Sequence, residues 1–439
     1  MSVQKFRWTL LLLIAFSLLT IPAVAQDGDL VGIRFMTDET DPVSIEADNY
    51  IVETFQEAYP TVRMIPEYVT SGNMYEKAIL LASTGMAPDL LYGTLGQAID
   101  FQALGLIEPL DDVAAQIGDL DPQLVEQYTI DGNLYSIPAQ TGSFLYYYRS
   151  DLAEQAGITE PPTDWMEWLA LLAALDGVAP EGTAAFTHIS GGSRNAQIIF
   201  FQHLWNNGGF VFNPDGTSAF DTTYRVESIE VLNFMKELSQ YAPEGFLGKG
   251  DIEAGLDYIN GSAASILFST RLFSQIYAAN PDLLDDTVAI IPPPAPGHDP
   301  ILFAGPNVWM VFKQDDPRRV QAAKDYIVHF MTGDRYARFL NAVPMHLLPT
   351  RTNFLTETPE YLDNPITSHF QSTLTQIIGG LGTSRYVFNE YGPPIATAGA
   401  AWGSSAMVNN VEQFLAGNIT AEEAIDNIAA EFNALATGS

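Results

Sequence analysis

Cysteine does not occur among the 439 residues, which excludes disulfides, thiol catalysis and cysteine-ligated metal sites together. A chain exported without disulfides must rest on its core, and this one is long enough for two ordinary domains. Basic side chains are scarce: 19 Lys and Arg, only six of them lysine, stand against 53 Asp and Glu, a formal charge of −34. If Lys5 and Arg7 are removed with a leader, 53 − 17 leaves −36. Such a field repels nucleic acid and anionic membrane surfaces. A saline habitat and ordinary selection for solubility would both produce it.

Long apolar runs are nearly absent as well. One stretch, Trp8 to Ile21, follows Lys5 and Arg7, and is too short to span a bilayer comfortably. Pro22-Ala23-Val24-Ala25 supplies a small-residue cleavage pattern, so the segment reads as a secretory signal cut before Gln26, with an uncleaved anchor as the other reading. No cysteine follows it, so a lipid-anchored start is excluded. The mature chain is expected to be soluble. Catalytic signatures are missing too: there is no G-x-S-x-G elbow, no H-E-x-x-H helix and no G-x-x-x-x-G-K-[ST] loop. The six histidines are scattered without i, i+4 pairing, and neither a metal nor a cofactor is expected. A glycosidase needs only two carboxylates placed by the fold, and composition leaves that class open. Asn213-Pro214-Asp215-Gly216-Thr217 starts like a calcium loop but lacks the later ligands, and a hairpin turn is expected instead.

What is present is alternation. Leu30 to Met36 predicts a strand, and Ile51, Phe55, Ala58 and Tyr59 form a helical stripe ended by Pro60. Val62 to Val69 is again extended, Met74 to Thr84 is helical up to Gly85, and Asp89 to Tyr92 is a short buried strand. Strands and helices alternating at this length argue for an α/β lobe with a largely parallel sheet. Residues 131–175 carry the densest pattern. Asp131-Gly132-Asn133 turns, Leu134 to Pro138 extends, Thr141-Gly142 frees the backbone, and Phe144 to Tyr148 is an aromatic strand. Asp164 caps a helix with Glu167 at box spacing, and Trp165, Trp168, Leu169, Leu172 and Ala173 fall on one helical face.

That order of elements resembles the interlobe crossover of family 1 extracellular solute-binding proteins, the receptors of ABC importers, mostly for sugars. Other segments resemble the family's signatures in order: 53–60, 83–92, 103–112, 208–221, 258–269, 303–313, 346–351 and 417–432. The last holds a capping box, Thr420 to Glu423, before the stripe Ile425, Ile428, Ala429 and Phe432. The resemblance implies a two-lobe periplasmic-binding-protein fold, each lobe a mostly parallel sheet flanked by helices, with a hinge between. The N-terminal lobe is expected to take 26–138 plus 303–350, and the C-terminal lobe 142–298 plus 355–439. Crossovers fall near 138–142, 296–304 and 348–355, with the Pro-rich run 292–297 a stiff surface loop beside the second.

The implied activity is binding without turnover. A carbohydrate, mono- or short oligosaccharide, would be held between the lobes and delivered to ABC permease subunits by a periplasmic or cell-surface monomer. A receptor for an anionic solute and a secreted carbohydrate-active enzyme are the alternatives. Sugars need flat aromatic faces and a few planar polar groups. Trp402 lies where maltose-binding relatives stack an aromatic on sugar, with platform and packing both open. Trp205 precedes a turn and is either cleft-exposed or core, while Trp309 alternates within a strand as core. Arg271, in Ser269-Thr270-Arg271, stands where sugar-binding relatives often carry a tryptophan; it would fork onto an anion or hydroxyls, or form a salt bridge. Residues 93–97 and Gly142 depart from the maltodextrin pattern, where an aromatic and acids are usual. Loops at strand C-termini add Thr37, Asp38, Asn73, Thr94, Thr141 and Asn307, with Asn73 the one most like a plain cap.

Overall fold

The computed structural model describes residues 30–437, apart from 192–194, 393 and 396. The expected leader and its cleavage before Gln26 lie outside the described residues. Among the described residues no helix is long and apolar enough to cross a membrane.

In chain order the strands are β1 (Val31–Thr37), β2 (Val62–Tyr68), β3 (Leu90–Thr94), β4 (Thr129–Ile130), β5 (Asn133–Leu134), β6 (Ile137–Gly142), β7 (Phe144–Arg149), β8 (Thr187–His188), β9 (Ser265–Ser269), β10 (Thr287–Ile290) and β11 (Gly305–Val311). They form a five-stranded sheet, β2-β1-β3-β11-β6, a four-stranded sheet, β10-β7-β9-β8, and the hairpin β4-β5. In the first sheet only β11 runs against the rest. In the second only β7 does. Both odd strands enter directly from the other sheet, so neither is the return of a βαβ crossover, which would fix a parallel course.

Each sheet is covered by helices whose ends follow local chemistry. Asp41 caps the helix Pro42–Ala58 by accepting from Val43 and Ser44 N–H groups, with proline at the first helical position. Thr420 and Glu423 exchange both bonds of a capping box, at 2.8 and 3.2 Å. Asp164 accepts the Glu167 N–H at 3.0 Å, but the Glu167 carboxylate reaches back to Thr163 rather than to the cap. Trp309 packs among Phe35, Tyr92 and Tyr326 in one lobe. In the other, Trp165 stacks on Phe234 with centroids 4.0 Å apart, and Trp168 meets Tyr146.

The crossings are narrow. The chain leaves the first sheet at Gly142 and enters the second at Phe144, with Ser143 alone between them. Ser143 donates to the Phe303 carbonyl at 2.8 Å, which ties the first crossing to the second. Thr141 and Gly142 do not free the backbone. Thr141 exchanges both bonds with Leu348, at 3.1 and 3.0 Å, and Gly142 opposes Gly305, so both are held in ladders. The Pro-rich run also departs from the expected surface loop. Pro292 to Ala295 are buried, because their carbonyls and N–H groups serve Asn206 and Trp165. Asn213 to Thr217 form a hairpin turn, with Gly216 at φ +82°.

Candidate functional site

The C-terminal ends of β1, β6 and β9 and the start of β11 face a common crevice, the position where α/β sheets hold ligands. A cavity of about 410 Å³ opens there. Asp38 and Glu39 follow β1, Gln140 comes from β6, and Asn307 from β11. Opposite them stand Arg271 and Gln275, one turn apart after β9, and Asn195 and Asp251, the first residues of two helices. Asn195 donates to Asp251 at 2.6 Å. Phe144, Phe303, Tyr386 and Trp402 supply aromatic wall. Trp402 also lines an adjoining cavity of about 290 Å³, with Thr94, Gln97 and Asp100 on its other side.

Of the nine residues expected from sequence, Asp38, Arg271, Asn307 and Trp402 line the first cavity, and Thr94 lines the second. Thr94 is also a helix cap, exchanging bonds with Gln97 at 3.0 and 3.4 Å. The other four line neither cavity. Thr37 ends β1 with its hydroxyl turned to the Glu39 N–H, 3.2 Å away. Thr141 is wholly buried in its ladder. Asn73 is exposed in the first turn of the helix Ser71–Ser83, donating to Thr70 at 2.9 Å. Trp205 is 1 % exposed on a helix buried throughout, and its indole N–H goes to Glu390. It acts on the cleft only from behind, lying nearly parallel to Phe303.

Sequence reading passed over Glu39, Gln140, Asn195, Asp251, Gln275, His346 and Tyr386. Two had a local signal: Glu39 adjoins Asp38, and Gln275 is four residues from Arg271. The others come from distant segments and could be placed only by the fold.

Burial sets the charge states. Glu39 is 8 % exposed, and its carboxyl is pushed up to about 7, first by burial and then by Asp38, with Arg271 and the Ser44 hydroxyl pulling it back. Behind it, burial and then Glu39 itself hold Asp48 well above the usual carboxylate range. Burial, with Arg271 nearby, drives His346 down to about 3, so its ring is neutral. That ring sits 3.2 Å from the Thr270 hydroxyl. A Cβ on Gly142 would lie 3.3 Å from it, a tight approach to which the ring would have to give by a few tenths of an ångström. Gly96 likewise lets the helix Leu95–Ala103 approach Phe388, whose ring edge would be 2.3 Å from a Cβ.

Two α/β lobes joined by short crossings, with polar and aromatic side chains from both facing one cleft, define a two-lobed binding architecture. The chain belongs to the bacterial extracellular solute-binding protein family, whose model matches residues 50–368. It is 25 % identical over 234 residues to a putative binding protein of Brucella abortus, covering 52 % of this chain and 55 % of that one. A mannitol-binding protein of Pseudomonas aeruginosa is 25 % identical over 256 residues, 54 % of each chain. An arabinooligosaccharide-binding protein of Halalkalibacterium halodurans is 24 % identical over 294 residues, 63 % of this chain and 62 % of the other. The chain thus spans about half the length of the first of these relatives. Among solved structures, a cyclic α-maltosyl-1,6-maltose binding protein from Arthrobacter globiformis superposes with TM-score 0.75 at 21 % identity, over 93 % of this chain and 100 % of that one. Maltose-bound MalE3 of T. maritima gives 0.74 at 22 %, over 92 % and 99 %. At these identities the likeness establishes the fold.

Proposed function

We propose that this protein is an extracytoplasmic receptor that binds a neutral carbohydrate between its lobes and passes it to an ABC permease. The lining of the cleft carries the reading. Trp402, Tyr386 and Phe303 offer faces for sugar C–H surfaces, and Asp38, Asn307, Gln275 and Arg271 offer planar groups for hydroxyls. A volume of about 410 Å³, with the smaller cavity beyond Trp402, suits a mono- or short oligosaccharide, since ligand pockets run from ~300 to ~1,000 Å³. The names of the mannitol- and arabinooligosaccharide-binding relatives support the same class.

The anionic alternative finds less support, because among the described residues Asp38, Glu39 and Asp251 outnumber Arg271 in the cleft and His346 is neutral. The matched relatives are named as binding proteins, which supports a receptor without turnover. In this reading the lobes divide as expected, 26–138 plus 303–350 and 142–298 plus 355–439, except that β6 carries the N-terminal lobe on through Gly142. The passages from β6 to β7 and from β10 to β11 support the first two crossings. A ligand touching both lobes stabilises the closed arrangement by its differential affinity, and the permease reads that arrangement. In the same reading the leader is cut before Gln26 and the receptor acts as a monomer. A thermal-shift screen of neutral sugars and polyols tests this, because a ligand at a hundredfold its Kd stabilises by about 2.7 kcal/mol. No shift with any sugar removes the carbohydrate reading. Sugar products formed on incubation remove the receptor reading.

A further inference from the structure

Glu39 and Arg271 oppose each other across the cleft from separate lobes, one just after β1 and the other just after β9. Among the described residues, the other charged groups acting on Glu39 are acidic. Asp38 adjoins it in the same loop, and Asp41 and Asp48 face it from the cap and first turns of the helix Pro42–Ala58. Tyr92 approaches from β3, and the Ser44 hydroxyl donates to its carboxylate at 3.3 Å. On the far side His346, the titratable group beside Arg271, is uncharged. The Arg271 guanidinium makes no hydrogen bond or ion pair with any described residue, although it interacts electrostatically with Glu39. Among the described residues, the cation that relieves this crowded carboxyl is Arg271, which stands on the opposite lobe, while Ser44 relieves it from its own side.

We propose that Glu39 and Arg271 form a proton-sensitive latch, so that closure on ligand pairs them and expels a proton from Glu39. This rests on the carbohydrate-receptor reading and adds a regulation to it. In this structure burial and Asp38, against the pull of Arg271, keep Glu39 near half-protonation at neutral pH. Closure brings the guanidinium to the carboxylate and favours its charged form. The liganded state then holds fewer protons, so affinity rises with pH and levels off once Glu39 is ionised in both states. With the bound carboxyl returned toward its ordinary 4.5, affinity at pH 6 is about tenfold weaker than at pH 8.

The experiment is isothermal titration with the sugar that gives the largest thermal shift, at pH 6, 7 and 8, in two buffers of different ionisation enthalpy. The wild type releases about half a proton at pH 7. Glu39→Gln removes both the release and the pH slope. Arg271→Met binds more weakly and releases no proton, while Arg271→Lys, which keeps the charge, restores release. Circular dichroism melts confirm that each variant is folded. Sugar binding without proton release, or release that survives in Arg271→Met, overturns the latch and leaves the receptor reading standing. Failure of every sugar to bind the wild type overturns both.

Discussion

Replacing Glu390 by glutamine probes a charge buried behind the aromatic wall. Its carboxylate accepts from the Trp205 indole, from Val211 N at 2.9 Å and from Phe212 N at 3.0 Å. Burial nevertheless dominates and pushes the carboxyl from 4.5 up to about 7, with those bonds and Arg385 pulling it down. A carboxyl raised in the folded state stabilises fully below the unfolded value near 4.5, and that contribution is lost as pH rises to about 7. The shift is worth about 3 kcal/mol at 1.36 kcal/mol per unit. Whole-protein curves hide it, because His188, His203 and His346 are buried neutral and oppose it. Burial lowers them to about 4, 3 and 3, so their contribution is present above about 6.5 and is lost on acidification. The difference between wild type and Glu390→Gln removes the histidines from the comparison. Glutamine mimics the protonated acid, so the two proteins should have similar stability near pH 5. Near pH 8 the wild type should lag by about 3 kcal/mol. Urea unfolding followed by circular dichroism at both pH values measures this. A gap independent of pH, or one that widens on acidification, refutes the reasoning.

Arg351 is 8 % exposed and is shared by Asp119, Glu357 and the Met331 carbonyl. Arg351→Met leaves Asp119 buried without its partner and should cost about 3–5 kcal/mol, read as a lowered urea midpoint. Trp205→Ala opens a cavity in a full core and should cost about 3–5 kcal/mol, whereas Trp402→Ala should weaken sugar binding at least tenfold with little change in melting temperature. Asn73→Ala removes an exposed bond to Thr70 and should leave sugar affinity unchanged by calorimetry.

The scaffold was legible because its signals are local. Branched and aromatic runs gave β1, β2 and β3, and Asp164 and Thr420 marked helix starts by their spacing. Half of the site was legible for the same reason: Asp38 and Arg271 sit where a strand hands over to a loop. What failed were questions settled by contacts made far away in sequence. Thr141-Gly142 looks flexible in isolation, yet Leu348 and Gly305 complete its ladders. Trp205 looks like a cleft residue before a turn until Glu390, 185 residues on, takes its N–H. The run Pro292–Pro294 reads as surface until Asn206 and Trp165 claim its carbonyls. Nothing local to Gly142 shows the close approach of His346, which only the fold brings beside it.

The most direct test of the account is a crystal structure with the sugar that most raises the melting temperature. That sugar is expected against Trp402 and between Arg271 and the Asp38-Glu39 loop, touching side chains of both lobes. A sugar bound outside the cleft, or held by residues of one lobe alone, would contradict it.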